Sequence, residues 1–126
     1  MRIFIFFIFI IFTNYLLSQQ VMQFYGLGKN DVISSMAKPK DGGLIFVGST
    51  TTFSSGGSDL WVMKSDDSLN FEWQRNFGNA SDESGKEIFL NEDEIIIIGQ
   101  VISKSSSAIW VLALNHKGGK IWDKIH

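Results

Sequence analysis

Cysteine is absent from the 126 residues, which excludes disulfides, thiolate metal sites and thiol nucleophiles. Proline occurs once, so the turns rest mainly on the 12 glycines together with Asn, Asp and Ser. Neither sign of charge dominates: 11 Lys and Arg against 13 Asp and Glu leave a net charge of −2. Duplex binding draws its affinity from clustered Lys and Arg, so nucleic acid is not an expected partner. The two histidines, His116 and His126, fall in an expected turn and at the last position, with no further ligands indicated near them. No apolar run approaches the roughly 20 residues of a bilayer-spanning helix. What is present is a chain that is 44% hydrophobic, enough for a packed core but short enough for one domain at most.

Met1-Arg2 precedes an unbroken apolar run from Ile3 to Phe12, and Tyr15-Leu16-Leu17-Ser18 closes the segment. One positive residue, a short apolar stretch and a small residue form the pattern of a secretory signal peptide. Residues 1–18 are therefore expected to be a signal peptide, and the protein secreted or at the cell surface. The membrane is engaged only through this segment. Ser18 suits the position before a cleaved bond, whereas Leu16 is not small, so the bond itself stays open. An uncleaved anchor and a buried Phe/Ile strand are alternative readings of the same run.

The remainder is self-similar. Asp41-Gly42-Gly43-Leu44-Ile45-Phe46-Val47-Gly48 matches Glu92-Asp93-Glu94-Ile95-Ile96-Ile97-Ile98-Gly99 at an offset of 51. Leu60-Trp61-Val62-Met63 matches Ile109-Trp110-Val111-Leu112 at 49, as Phe71-Glu72-Trp73 matches Lys120-Ile121-Trp122. The two-residue difference falls in Ser49 to Ser58, a Ser/Thr/Gly stretch that reads as an exposed loop. Tyr25-Gly26 with Asp31 matches Phe77-Gly78 with Asp82, so Val21 to Tyr25 reads as the last strand of an earlier unit. The expected organisation is a closing strand in 19–30, one repeat in 31–80 and a second, truncated repeat in 81–126.

Each unit reads as four short strands bounded by Gly, Asp, Asn and Ser. They are expected over Val32–Ala37, Leu44–Thr50, Leu60–Ser65 and Phe71–Phe77, then Gly85–Leu90, Glu94–Ile102, Ala108–Leu114 and Lys120–His126. No helical period competes with them. Leu44–Val47 and Ile95–Ile98 are apolar at successive positions, which places apolar residues on both faces of a strand and predicts cover on both. Stacked sheets supply such cover. Four strands per unit of about 40–50 residues is the pattern of a propeller blade. The fold expected is all-β: two four-stranded antiparallel propeller-type blades plus one leading strand, an incomplete β-propeller. Propellers need about 4–8 blades to close, so the expected partners are further blades in the same chain or a second copy by self-association.

Ala113-Leu114-Asn115-His116-Lys117-Gly118-Gly119-Lys120-Ile121-Trp122 resembles the repeat of quinoprotein-like (PQQ-like) propellers, in which a turn glycine precedes a tryptophan by three residues. Met63 to Trp73 is the same element with Asn70 in place of Gly119. The stretch Gly56-Gly57-Ser58-Asp59-Leu60-Trp61-Val62-Met63-Lys64, with Trp73-Gln74-Arg75-Asn76-Phe77-Gly78, is similar to tandem propeller repeats of secreted microbial surface proteins. The resemblance implies that Trp73 and Trp122 dock one blade on its neighbour and that Trp61 and Trp110 fill the inter-blade core. Gly48, Gly78, Gly99 and Gly119 are expected at turns. Quinone-dependent dehydrogenases with such repeats bind their cofactor and a calcium ion in a full ring, but none of their site residues can be placed here.

Other chemistry is thinly represented. Asp59 is read as a turn cap rather than a ligand, because its counterpart is Ala108. Asp66-Asp67 with Asn70 offers oxygen ligands to a cation, but Asn115-His116 with Gly119 loses both carboxylates, and a solvated hairpin turn is the favoured reading. Glu92-Asp93-Glu94 is read as a solvated cluster that discourages edge pairing. No Gly-x-Ser-x-Gly elbow frames a nucleophile, and Gly26-x-Gly28 opens no helix for a phosphate. The expected function is a structural or interaction module with no catalytic site, no cofactor and no metal, binding a surface glycan or protein. The alternative is the N-terminal portion of a secreted propeller enzyme or carbohydrate-binding protein.

Overall fold

The computed structural model describes residues 30–54 and 56–126. The signal segment 1–18, the strand expected within 19–30 and Gly26-x-Gly28 lie outside the described residues. Eight strands make up the regular structure of the described part: β1 Val32–Ala37, β2 Leu44–Thr50, β3 Asp59–Ser65, β4 Phe71–Phe77, β5 Asp82–Leu90, β6 Ile95–Ile102, β7 Ser107–Leu114 and β8 Lys120–Ile125. They form two four-stranded antiparallel sheets, each a meander in chain order, β1-β2-β3-β4 and β5-β6-β7-β8. Leu44–Val47 and Ile95–Ile98 therefore stand in different sheets.

Strand bounds follow the apolar runs except where polar residues hide an end. β5 begins three residues earlier than expected, because Asp82, Glu83 and Ser84 pair with Ile102, Val101 and Gln100. Ladder pairing satisfies backbone groups whatever the side chain. At the far end Ile109 and His126 exchange two backbone hydrogen bonds of 2.9 and 2.8 Å, extending the last pairing to His126. One bulge interrupts β1 between Ile33 and Ser35, and another interrupts β5 between Gly85 and Glu87.

The main core lies between the sheets. Ile45, Val47, Leu60 and Val62 of the first sheet meet Ile88, Ile95, Ile97, Trp110, Leu112 and Leu114 of the second. β5 is the strand of the second sheet that lies against β1, β2 and β3. Two glycines permit the approach. Gly85 and Gly99 face each other across β5 and β6. A Cβ on Gly85 would collide with Val47 Cγ2, and one on Gly99 would stand 2.9 Å from Leu60 Cδ1. The bare backbone thus forms a hollow into which Val47 and Leu60 press. A smaller cluster of Phe46, Trp61 and Met63, joined by Leu44, occupies the opposite face of the first sheet.

Candidate interaction face

The second sheet has one face on the core and one facing away. The outward face follows from register: Phe89 pairs with Ile96, Ile96 with Ala113, and Ala113 with Trp122, while Ile98 pairs with Val111 and Val111 with Lys124. Directly paired residues point to the same side of a sheet. Phe89 is 53% exposed, Ile109 56%, Ile98 37% and Trp122 38%. The corresponding side of the first sheet carries Ile45, Val47, Leu60 and Val62, each at most 1% exposed, because the second sheet covers them. The expectation of cover on both sides thus meets two outcomes. Ile45, Phe46 and Val47 are all buried, while in Ile95–Ile98 only Ile95 and Ile97 are. A shallow depression on the open face is lined by Val111, Trp122, Lys124 and His126.

The four tryptophans fall into two pairs. Trp110 belongs to the core between the sheets and donates its indole N–H to Asp123 Oδ2 at 3.0 Å. Trp61 donates to Gln74 Oε1 at 3.2 Å in the first sheet. Trp61 is buried with Phe46 and Met63, on the side of the first sheet away from the second, and so lies outside the core that the two described sheets share. Trp73 packs against that core and lies beneath the β7–β8 turn, its ring 2.9 Å from where a Cβ on Gly118 would be. Arg75 sits over the Trp73 ring, 5.6 Å from its centre, and donates to Lys117 O at 3.3 Å. Trp122, on the open face, donates to Glu94 Oε1 at 3.1 Å.

Of the four glycines expected at turns, two are elsewhere. Gly48 lies within β2 and Gly99 within β6, opposite Trp61 and Trp110 respectively. At both places the glycine leaves room for a close contact rather than reversing the chain. Gly78 follows β4 and Gly119 precedes β8, both in connections. The left-handed residue of the β7–β8 turn is Gly118, at φ 82°, and that of the β3–β4 turn is Leu69, at φ 63°. These are one position earlier than Gly119 and Asn70. A side-chain acceptor organises each turn. Asp66 Oδ1 accepts from the backbone of Ser68 and Asn70, each at 2.8 Å. Asn115 Oδ1 accepts from Lys117 and Gly119, each at 2.9 Å. The carboxyl of Asp66 is held below its ordinary range chiefly by the side chain of Asn70. Asp67 accepts from Gly43 N at 2.8 Å, so it serves the neighbouring hairpin.

Buried charge was not visible in the sequence. Lys64, 5% exposed, pairs with Glu72 and, at 3.5 Å, with Asp41. Burial pulls its pKa down, but the two carboxylates outweigh that and the net shift is upward. Asp59 and Glu83 are each 1% exposed. Asp59 Oδ2 accepts from Asn76 Nδ2 at 3.1 Å, and Glu83 Oε2 from Asn79 N at 3.3 Å. The Glu92-Asp93-Glu94 cluster is a turn in which Asn91 Oδ1 accepts from Asp93 and Glu94 at 2.9 and 2.6 Å. His116 Nε2 reaches Glu92 O at 3.1 Å.

Among the described residues no three His, Asp or Glu side chains come together as a metal site, and no helix is long and apolar enough to cross a membrane. A cleft between the β1–β2 and β5–β6 turns is lined by Lys38, Pro39, Lys40, Asp41, Leu90, Asn91, Glu92 and His116. Its charges are of both signs, and its Lys40–Glu92 pair spans 3.5 Å in solvent. No protein-family model matches the chain, and no curated protein matches it significantly.

Proposed function

We propose that the protein is a secreted structural or interaction module, a segment of a β-propeller akin to the tandem repeats of secreted microbial surface proteins, with no catalytic site of its own. The observation that carries this reading is the open face of the second sheet. Ile98, Ile109, Val111 and Trp122 stand there at the positions where Val47, Leu60, Val62 and Trp73 are covered in the first sheet. A face that the same chain buries once by sheet stacking is a face suited to a further sheet. Exposed contiguous apolar surface of this kind marks interaction sites. The natural occupant is another four-stranded sheet, from the same polypeptide or from a second one. Export rests on the pattern of residues 1–18.

The experiment is to duplicate residues 78–126 after His126. The expected result is one cooperative unfolding transition at a higher Tm, with the tryptophan emission moved to shorter wavelength as Trp122 is covered. An unchanged Tm and emission would overturn the reading. Export is tested separately by sequencing the N-terminus of the product released by a secreting host, where Gln19 is the expected first residue.

A further inference from the structure

Asp59 on β3 and Glu83 on β5 bring two buried carboxylates to the junction between the sheets. Both converge on Gly78: a Cβ there would stand 2.6 Å from Asp59 Oδ1 and 2.7 Å from Glu83 Oε2. β5 is tied to the residue before β3 as well, since Glu83 N donates to Ser58 O at 2.7 Å and Ser58 N to Asp82 Oδ1 at 2.9 Å. Glu83 Oε2 accepts from Asn79 N at 3.3 Å, and the backbone of Glu83 itself also acts on its carboxyl. Glu83 Oε1 is buried with no hydrogen-bond partner. The groups facing the Glu83 carboxyl are Asp59 from β3, Asp82 beside it on β5, the Asn79 backbone from the β4–β5 connection and its own backbone amide. No described Lys or Arg forms an ion pair with it.

We propose that Glu83 carries a proton in the packed state and is a proton-dependent latch between the two sheets. Neutral, it lets β5 seat against β3. Ionised, it places a second negative charge beside Asp59 in a site out of water, where an unpaired carboxylate is costly, and the seat loosens. The direction of its pKa agrees: burial raises it, the backbone groups of Asn79 and of Glu83 itself pull it back, Asp59 and Asp82 push it up again, and the net shift is upward. A carboxyl raised on folding gives stability that is whole below its unfolded pKa and lost as pH rises through the folded one.

The test is thermal unfolding of the full chain across pH 4 to 8, with hydrogen exchange of the β5 amides. In the native protein Tm is expected to fall, and β5 exchange to quicken, as pH rises through the window. Glu83→Gln, neutral and of the same shape, is expected to abolish that dependence and to have the higher Tm at the alkaline end. Asp59→Asn is expected to move the midpoint to lower pH and shrink the fall. A merely structural role for Glu83 would instead shift the Gln variant by the same amount at every pH, and such parallel profiles would overturn the proposal. So would a Glu83 carboxyl that titrates in the ordinary range by ¹³C NMR, a measurement on the native chain that decides the matter even if the variants do not fold.

Discussion

Trp110 and Asp123 are bound side chain to side chain across the β7–β8 pair, the indole N–H donating to the carboxylate at 3.0 Å. One end of the tryptophan is thereby anchored in the core and the other in a polar rim, which suits a large ring with one donor. Asp123 is held below its ordinary range, first by Lys120 and then by Trp110.

Trp110→Phe keeps most of the buried ring and removes the donor. The expected loss of stability is about 1 kcal/mol by urea unfolding, against about 3–5 kcal/mol for Trp110→Ala. A depressed carboxyl gives stability that is present above its unfolded pKa and lost as pH falls through the folded one. In the Phe variant the Asp123 pKa should rise toward the ordinary value, so the acid-side loss should shrink. NMR titration of Asp123 in the two proteins measures this directly.

Leu69 takes a backbone conformation that suits glycine, at φ 63°. A left-handed L-residue costs roughly 1–2 kcal/mol, and the added freedom of glycine in the unfolded chain offsets part of the relief. Leu69→Gly is therefore expected to stabilise by up to about 1 kcal/mol, read as a rise in urea midpoint. A destabilised variant would show that the Leu69 side chain contributes packing worth more than the strain.

The hollow at Gly85 is tested by a double-mutant cycle. Gly85→Ala pushes against Val47 and should cost about 1–3 kcal/mol by overpacking. Combined with Val47→Ala, the cost should be partly relieved, with a coupling of about 0.5–3 kcal/mol. Strictly additive losses would mean that the sheets do not meet at this pair.

Ile98 and Val47 hold matching positions, one exposed and one buried. Ile98→Asp should change stability by less than about 1 kcal/mol, as exposed substitutions do. It should also suppress any concentration-dependent association seen by sedimentation velocity. Val47→Asp buries an unpaired charge and should cost about 4 kcal/mol or more. Equal effects of the two would contradict the difference between the faces.

All-β class, the eight strands and their division into two sheets could be read along the chain. Runs such as Leu44–Val47 and Ile95–Ile98 are short, branched and separated by turn residues, and local backbone preference speaks for itself there. The turns were legible in kind but displaced by a residue, because Gly118-Gly119 offers two candidates and Leu69 is an unlikely occupant of the left-handed region. Gly48 and Gly99 lie inside β2 and β6 rather than at turns for a related reason. A glycine after an apolar run signals a turn, whereas a glycine admitting a neighbouring sheet looks the same in sequence. Nothing local distinguished Lys64 or Glu83 from surface charges, since their burial depends on residues far away in the chain.

The order of the residues by itself determined where strands begin, turn and end, because pairing and turn formation act over a few residues. Which side of each sheet is covered was decided only in three dimensions. Trp61 and Trp110 occupy the same place in similar stretches, yet one lies in the core between the sheets and the other beyond it. The burial of a side chain depends on what stacks against its sheet, and stacking joins residues that the chain keeps about fifty positions apart.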